Sequence, residues 1–95
     1  MATDPLVFRV HAIQRMVQRA ISEADVRQVL TSGEVIESYP DDRPYPSRLI
    51  LGWRGGRPLH VVVAESPTTQ ETIIITVYEP DTEHWEPGFQ RRREG

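Results

Sequence analysis

Cysteine and lysine are both missing from these 95 residues. Without cysteine there is no disulfide and no zinc–thiolate site, so nothing covalent staples the fold. A chain this short buries only about 60–65% of the surface it would expose unfolded, which supports one core and not two. The expectation is a single domain over 1–95, with a core from about residue 8 to residue 86 and an Arg-rich tail at 87–95. The three histidines, His11, His60 and His84, are far apart in sequence and show no close ligand spacing. Neither a metal nor any other cofactor is therefore expected. There is no phosphate-binding glycine loop and no nucleophile elbow. Gly52-Trp-Arg-Gly55-Gly56 reads as a turn. No apolar run approaches the ~20 residues of a membrane span. Met1–Val10, with Asp4 and Pro5, does not read as a signal or transit peptide. The reading is a cytoplasmic protein with no membrane association.

The absence of lysine makes all eleven basic residues arginine. Guanidinium forks suit phosphate and carboxylate, although GC-rich codons would produce the same bias. The net charge of −3 argues against broad non-specific binding to nucleic acid. An enzyme acting on nucleic acid would need a local basic site on an acidic body.

What is present reads as two helices followed by strands. Leu6–Val10 is either a short strand or the lead-in to a helix. From His11 to Ala20, Ile13, Met16, Val17 and Ala20 recur at helical spacing and predict one apolar face. His11, Arg15, Gln18 and Arg19 fall opposite. The second helix is predicted from Glu23 to about Thr31. Ser22 is its N-cap, Glu23 and Asp25 sit in the first turn, and Ile21 and Val26 occupy the positions of a hydrophobic staple. Val26, Val29 and Leu30 form its buried stripe, and Gly33 suits a left-handed C′ position.

Glu34–Tyr39 follows as a poorly alternating strand, and 40–46 as a proline-rich polar loop. Arg48–Trp53, Leu59–Ala64 and Thr72–Tyr78 then alternate as strands. Arg54-Gly55-Gly56-Arg57 signals a hairpin. Centring the next turn on Thr68 pairs His60 with Thr76, Val61 with Ile75 and Val63 with Ile73. An odd-length turn at Gly55-Gly56 would add Leu49, Leu51 and Trp53 to the Val61 face. Together these residues predict an α+β fold, two helices packed on an antiparallel sheet of about four strands. The predicted core is Ile13, Met16 and Val17 of the first helix, Val26, Val29 and Leu30 of the second, and Leu51, Val61, Val63, Ile73, Ile75 and Val77 of the sheet. His60, Thr76 and Tyr78 then share the other face, a polar cluster on a partly apolar floor. Trp85 lies in a segment read as a short last strand or an ordered tail.

His11-Ala-Ile-Gln-Arg15-Met16-Val-Gln-Arg19, Ile21-Ser22, Asp25-Val26 and Gly33 together resemble a bacterial family known as domain of unknown function 4258. Leu59-His60-Val61, Ile75-Thr76-Val77-Tyr78-Glu79-Pro80 and Trp85 resemble it too. The likeness runs from about residue 10 to residue 90. More distantly, the family is similar to RelE-like toxins, barnase and related RNases. Its members often occur beside small zinc-finger proteins of an antitoxin-like kind. The resemblance implies an RNA-cleaving toxin or a relative without activity, and RNA and such a zinc-finger protein as candidate partners.

Metal-independent RNA cleavage needs a base for the ribose 2′-OH, an acid for the leaving 5′-oxygen, and cations for the phosphorane. His11, His60 and Tyr78 are the candidate catalytic groups. Arg15, Arg19 and Thr76 are the candidate phosphate and RNA contacts. Each has a plainer use. His11 can serve to start a helix, and Arg15 and Arg19 can be a solvated helix face unless that face turns to the sheet. His60, Thr76 and Tyr78 can be ordinary strand residues. Two functions stay open: an RNase-toxin-like protein, and a non-catalytic module of the same fold that binds a protein partner.

Overall fold

A computed structural model describes residues 5–94. Met1–Asp4, part of the N-terminal stretch discussed above, and Gly95 at the end of the Arg-rich tail lie outside the described residues. The chain runs β1 (Leu6–Phe8), α1 (Val10–Arg19), α2 (Glu23–Ser32), β2 (Glu34–Tyr39), β3 (Ser47–Arg54), β4 (Arg57–Glu65) and β5 (Thr72–Tyr78). The α+β order is as expected, but the sheet has five strands in the order β1-β5-β4-β3-β2. The extra one is β1, which pairs parallel to β5, so the sheet is mixed and not purely antiparallel. No helix among the described residues is long and apolar enough to cross a membrane.

The punctuation of α2 works as its residues dictate. The Ser22 hydroxyl accepts from the Asp25 N–H at 3.1 Å, and the Asp25 carboxylate accepts from the Ser22 N–H at 2.9 Å. This reciprocal box satisfies two of the free donors at the helix start. Val26 and Val29 are buried, and Leu30 is half-buried against the same core. Gly33 departs from expectation. Its backbone is extended, with φ −80°, and not left-handed. Glycine is needed there for space, since a Cβ would collide with the Val29 carbonyl oxygen and lie 2.7 Å from the Leu51 oxygen.

The helix α1 is rotated from its predicted setting. Ala12 is fully buried and Met16 half-buried, whereas Ile13 is 47% and Val17 77% exposed. At about 100° per residue, Ala12 and Met16 lie between the apolar line and the arginine line. The small Ala12 lets the helix approach the sheet along that seam. The arginine line consequently flanks the sheet, and Ile13 and Val17 are not core residues.

Two register features reassign the strand faces. Arg54 pairs directly with Arg57, so the Gly55-Gly56 turn has two residues and not an odd number. Ile50 thus faces Val61 and Gly52 faces Leu59, beneath α2, where Gly52 leaves room for Val29. Leu49 and Leu51 remain buried but share the opposite face with His60, as does the exposed Trp53. A bulge lies between β4 and β5 at Val62/Val63. His60 pairs with Tyr78 and not Thr76, Val61 with Val77, and Val63 with Ile74. Ile74 therefore enters the helix-side core with Val61, Val63 and Val77, Ile73 faces the other way, and Ile75 is only half-buried.

The face away from the helices is closed by the tail. Trp85 is 3% exposed, with its ring edge-on to His60 at 4.4 Å between centroids. Arg92 lies over that indole at 4.7 Å and pairs with Glu37 of β2 at 3.2 Å. A bridge joins Trp85 to Arg92, and Gln90 bonds Glu34 at 2.8 Å. The arginine tail is thus partly spent inside the molecule.

Candidate functional site

The parallel partner β1 covers only Thr72–Ile74 of β5. The chain then leaves the sheet, the Arg9 N–H donating to the Ile74 oxygen at 3.0 Å, and turns into α1. The second half of β5 is left without a strand on that side, and α1 lies along it. His11, Arg15 and Arg19, four residues apart, face this edge. They line a groove of about 410 Å³ together with Thr76, Val77, Tyr78, Glu79 and Asp81. Five of the six residues singled out from sequence, His11, Arg15, Arg19, Thr76 and Tyr78, meet there.

The α1 side of the groove is exposed and cationic. Among the described residues, the arginine ion pairs involve Arg27, Arg48, Arg54, Arg57 and Arg92, not Arg15 or Arg19. Two guanidinium groups one helical turn apart are therefore available to an anion. On the β5 side stand Thr76 and Tyr78, whose side chains share the sheet face of His60, and two carboxylates, both already engaged. Glu79 is paired with Arg54 and Arg57. Asp81 accepts from the His84 ring at 2.8 Å and from the backbone N–H groups of His84 and Glu83. The bond from the His84 side chain, then those from the backbone, hold its carboxyl below the usual range.

His60 is the residue that the groove does not include. It is 0% exposed and lies on the sheet face opposite α1, beneath Trp85. Its Nε2 is 2.9 Å from the Phe89 carbonyl oxygen and its Nδ1 3.2 Å from the Tyr78 hydroxyl. A carbonyl only accepts, so Nε2 carries the proton. Burial pushes the imidazole pKa down, only partly countered by the Phe89 carbonyl. In the neutral ring Nδ1 then accepts, and Tyr78 donates its O–H. Burial likewise pushes the Tyr78 phenol up, which keeps it protonated. His60 was expected on a half-solvated face within reach of ligand. It is instead a core residue, linked to the groove through its bond to Tyr78, because the tail covers its face.

Glu79, Asp81, Arg54 and Arg57 were not singled out from the sequence. Glu79 and Asp81 follow directly on the last strand beside Tyr78, which was the available signal. Arg54 and Arg57 read only as flanks of a turn. Among the described residues no group of three or more His, Asp or Glu is arranged to hold a metal ion. Asp41 and Asp42 line an open loop, where Asp42 accepts from the Ser47 hydroxyl.

No curated protein and no solved structure matches the chain. A family model does, over residues 8–79, a span that holds both helices, β2 to β5 and every groove residue except Asp81. Since that span is well over half of the sequence, the chain belongs to the family described as domain of unknown function DUF4258.

Proposed function

We propose that the groove between α1 and β5 binds the phosphodiester backbone of RNA and cleaves it without a metal, as an RNase-toxin-like protein. The observation that carries this reading is the meeting along a single groove of one exposed histidine, two arginines that make no ion pair among the described residues, and the hydroxyl-bearing residues Thr76 and Tyr78. Arg15 and Arg19 hold the phosphate and take up the charge of the phosphorane, which forked guanidinium groups do well. Thr76 adds a hydroxyl contact. His11 takes the proton from the 2′-OH as that oxygen attacks phosphorus. The bond to the 5′-oxygen breaks, and this oxygen leaves with a proton from Tyr78. The products are a 2′,3′-cyclic phosphate and a 5′-hydroxyl. At rest Tyr78 donates to His60, so it must turn from Nδ1 to protonate the leaving group. His60 is the residue that positions it. The likeness to RelE and barnase, and a small zinc-finger antitoxin-like partner, belong to this same proposal.

A second reading, a module that binds a protein partner without catalysis, has its own observation. Ile13 and Val17 are exposed beside Phe8, Met16 and Ala20, in an apolar hollow of about 360 Å³ on the other flank of α1. The two readings separate on RNA binding. A labelled single-stranded RNA titrated with the purified chain should bind with a strong salt dependence. Arg15→Ala and Arg19→Ala should each weaken binding and flatten the salt slope by about one counterion. Equal affinity in the wild type and the double variant would remove the groove from RNA recognition and leave the partner-binding module.

A further inference from the structure

Glu79 is a carboxylate in an awkward place for a groove that binds phosphate. It closes the run of β5 residues along the groove, and its side chain is 12% exposed. A like charge held beside a bound phosphate opposes binding. Two arginines occupy its two oxygens: Arg54 Nη2 lies 3.3 Å from Oε2, and Arg57 Nη2 lies 3.0 Å from Oε1. Arg54 reaches further. Its Nη1 donates to the Ala20 carbonyl oxygen at 2.8 Å and lies 3.2 Å from Asp25 Oδ2. Ala20 is the C-cap of α1, the residue after Arg19. One guanidinium at the end of β3 is thus tied to the helix that carries the phosphate-binding arginines, to the cap of α2, and to the acid at the end of β5.

We propose that Arg54 and Arg57 make the groove able to bind an anion by neutralising Glu79, and that Arg54 also positions the C-terminal end of α1 against β5. The proposal rests on reading the groove as a phosphate site. It differs from a plain stabilising role in one respect. Exposed ion pairs contribute little to folding, and the Arg57 side chain is 68% exposed. An effect of Arg57 on ligand affinity is therefore separable from any effect on stability. It also depends on the charge of Glu79, which a structural role would not.

The test is a second-site rescue, read as the dissociation constant for a fluorescently labelled single-stranded RNA at low salt. Arg57→Ala should weaken binding about two- to fivefold with an unchanged melting temperature. Arg54→Ala should weaken it about tenfold. Glu79→Gln should bind at least as tightly as the wild type. Combined with Arg57→Ala, it should restore affinity to within about twofold of the wild type, because no charge is left to neutralise. Unchanged affinity in Arg57→Ala, or a loss that Glu79→Gln does not restore, overturns the proposal while the groove still binds RNA. A wild type that binds no RNA overturns both the proposal and the reading beneath it. If Arg54→Ala does not fold, the Arg57 and Glu79 variants decide the matter alone.

Discussion

Replacing His60 with leucine tests the assignment of this residue to the core. Leucine nearly fills the space, so the change isolates what the imidazole does for its neighbours. The Phe89 carbonyl loses its donor and the Tyr78 hydroxyl its acceptor. Each orphaned group costs roughly 1–3 kcal/mol when kept from water. Tyr78 and Phe89 are only half-buried and recover part of this from solvent. The edge contacts to Trp85 and Tyr78 account for about 0.5–1.5 kcal/mol each. The apolar leucine offsets some of the loss, leaving a net of about 2–4 kcal/mol. In a domain this size that lowers the melting temperature by roughly 10–25 °C. Circular dichroism gives the melting curve. In a Trp53→Phe background, fluorescence from Trp85 reports whether the tail has come away. The folded variant should still bind RNA within about threefold of the wild type, because Arg15 and Arg19, which hold the phosphate, stand on α1 across the sheet. A melting shift below about 4 °C would refute the reasoning, since it would mean that neither bond nor ring contact matters.

The bulge in β5 predicts an asymmetry between neighbours: Ile74→Ala should cost about 2–5 kcal/mol and Ile75→Ala markedly less, as denaturant titration will show. Equal losses would place the bulge wrongly. Gly33→Ala should destabilise the domain by more than the usual fraction of a kcal/mol for such a change, because its new Cβ meets backbone oxygens that cannot move aside. A variant as stable as the wild type would contradict the close approach of α2 to β3. The pH dependence follows from His60, whose folded pKa is lowered by burial. The unfolded chain then binds the proton more readily, so stability is complete above about pH 6.5 and falls as pH drops toward the lowered value. Asp25 is also lowered, chiefly by the Ser22 N–H, and its contribution is lost only at more acid pH. Melting temperatures should therefore decline from pH 7.5 to 5.5 in the wild type and be flatter in His60→Leu; parallel curves would exclude His60 as the cause.

Much of the fold was legible in the sequence because some signals are local. Ser22 and Asp25 lie three residues apart, so the box that caps α2 is built from neighbours in sequence. The Val26–Val29 stripe and the position, though not the length, of the Gly55-Gly56 turn are of the same kind. The misread features were settled by partners far along the chain. The apolar line Ile13–Val17 predicts a buried face, but Ala12 and Met16 take the sheet because the seam beneath β5 admits a small residue. An extra residue in β5 and an even turn before β4 moved side chains between faces, and alternation alone cannot count such residues. The candidate site was legible in part for the same reason. His11, Arg15 and Arg19 share a helix face by spacing, and Thr76 and Tyr78 share a strand. His60 paired with Tyr78 through the bulge and was covered by Trp85, a contact across 25 residues that no local pattern reveals.

The central claim is that the groove beside α1 cleaves RNA with His11 as its proton acceptor. The direct measurement is to incubate the purified chain with a defined single-stranded RNA in chelator and identify the product ends by mass spectrometry. The account predicts fragments ending in 2′,3′-cyclic phosphate and beginning with 5′-hydroxyl. It also predicts a rate about 10²–10⁴-fold lower in a folded His11→Ala variant and reduced in Arg15→Lys, where a point charge replaces the fork. Intact RNA after prolonged incubation with folded wild-type protein, or cleavage undiminished in His11→Ala, would contradict it.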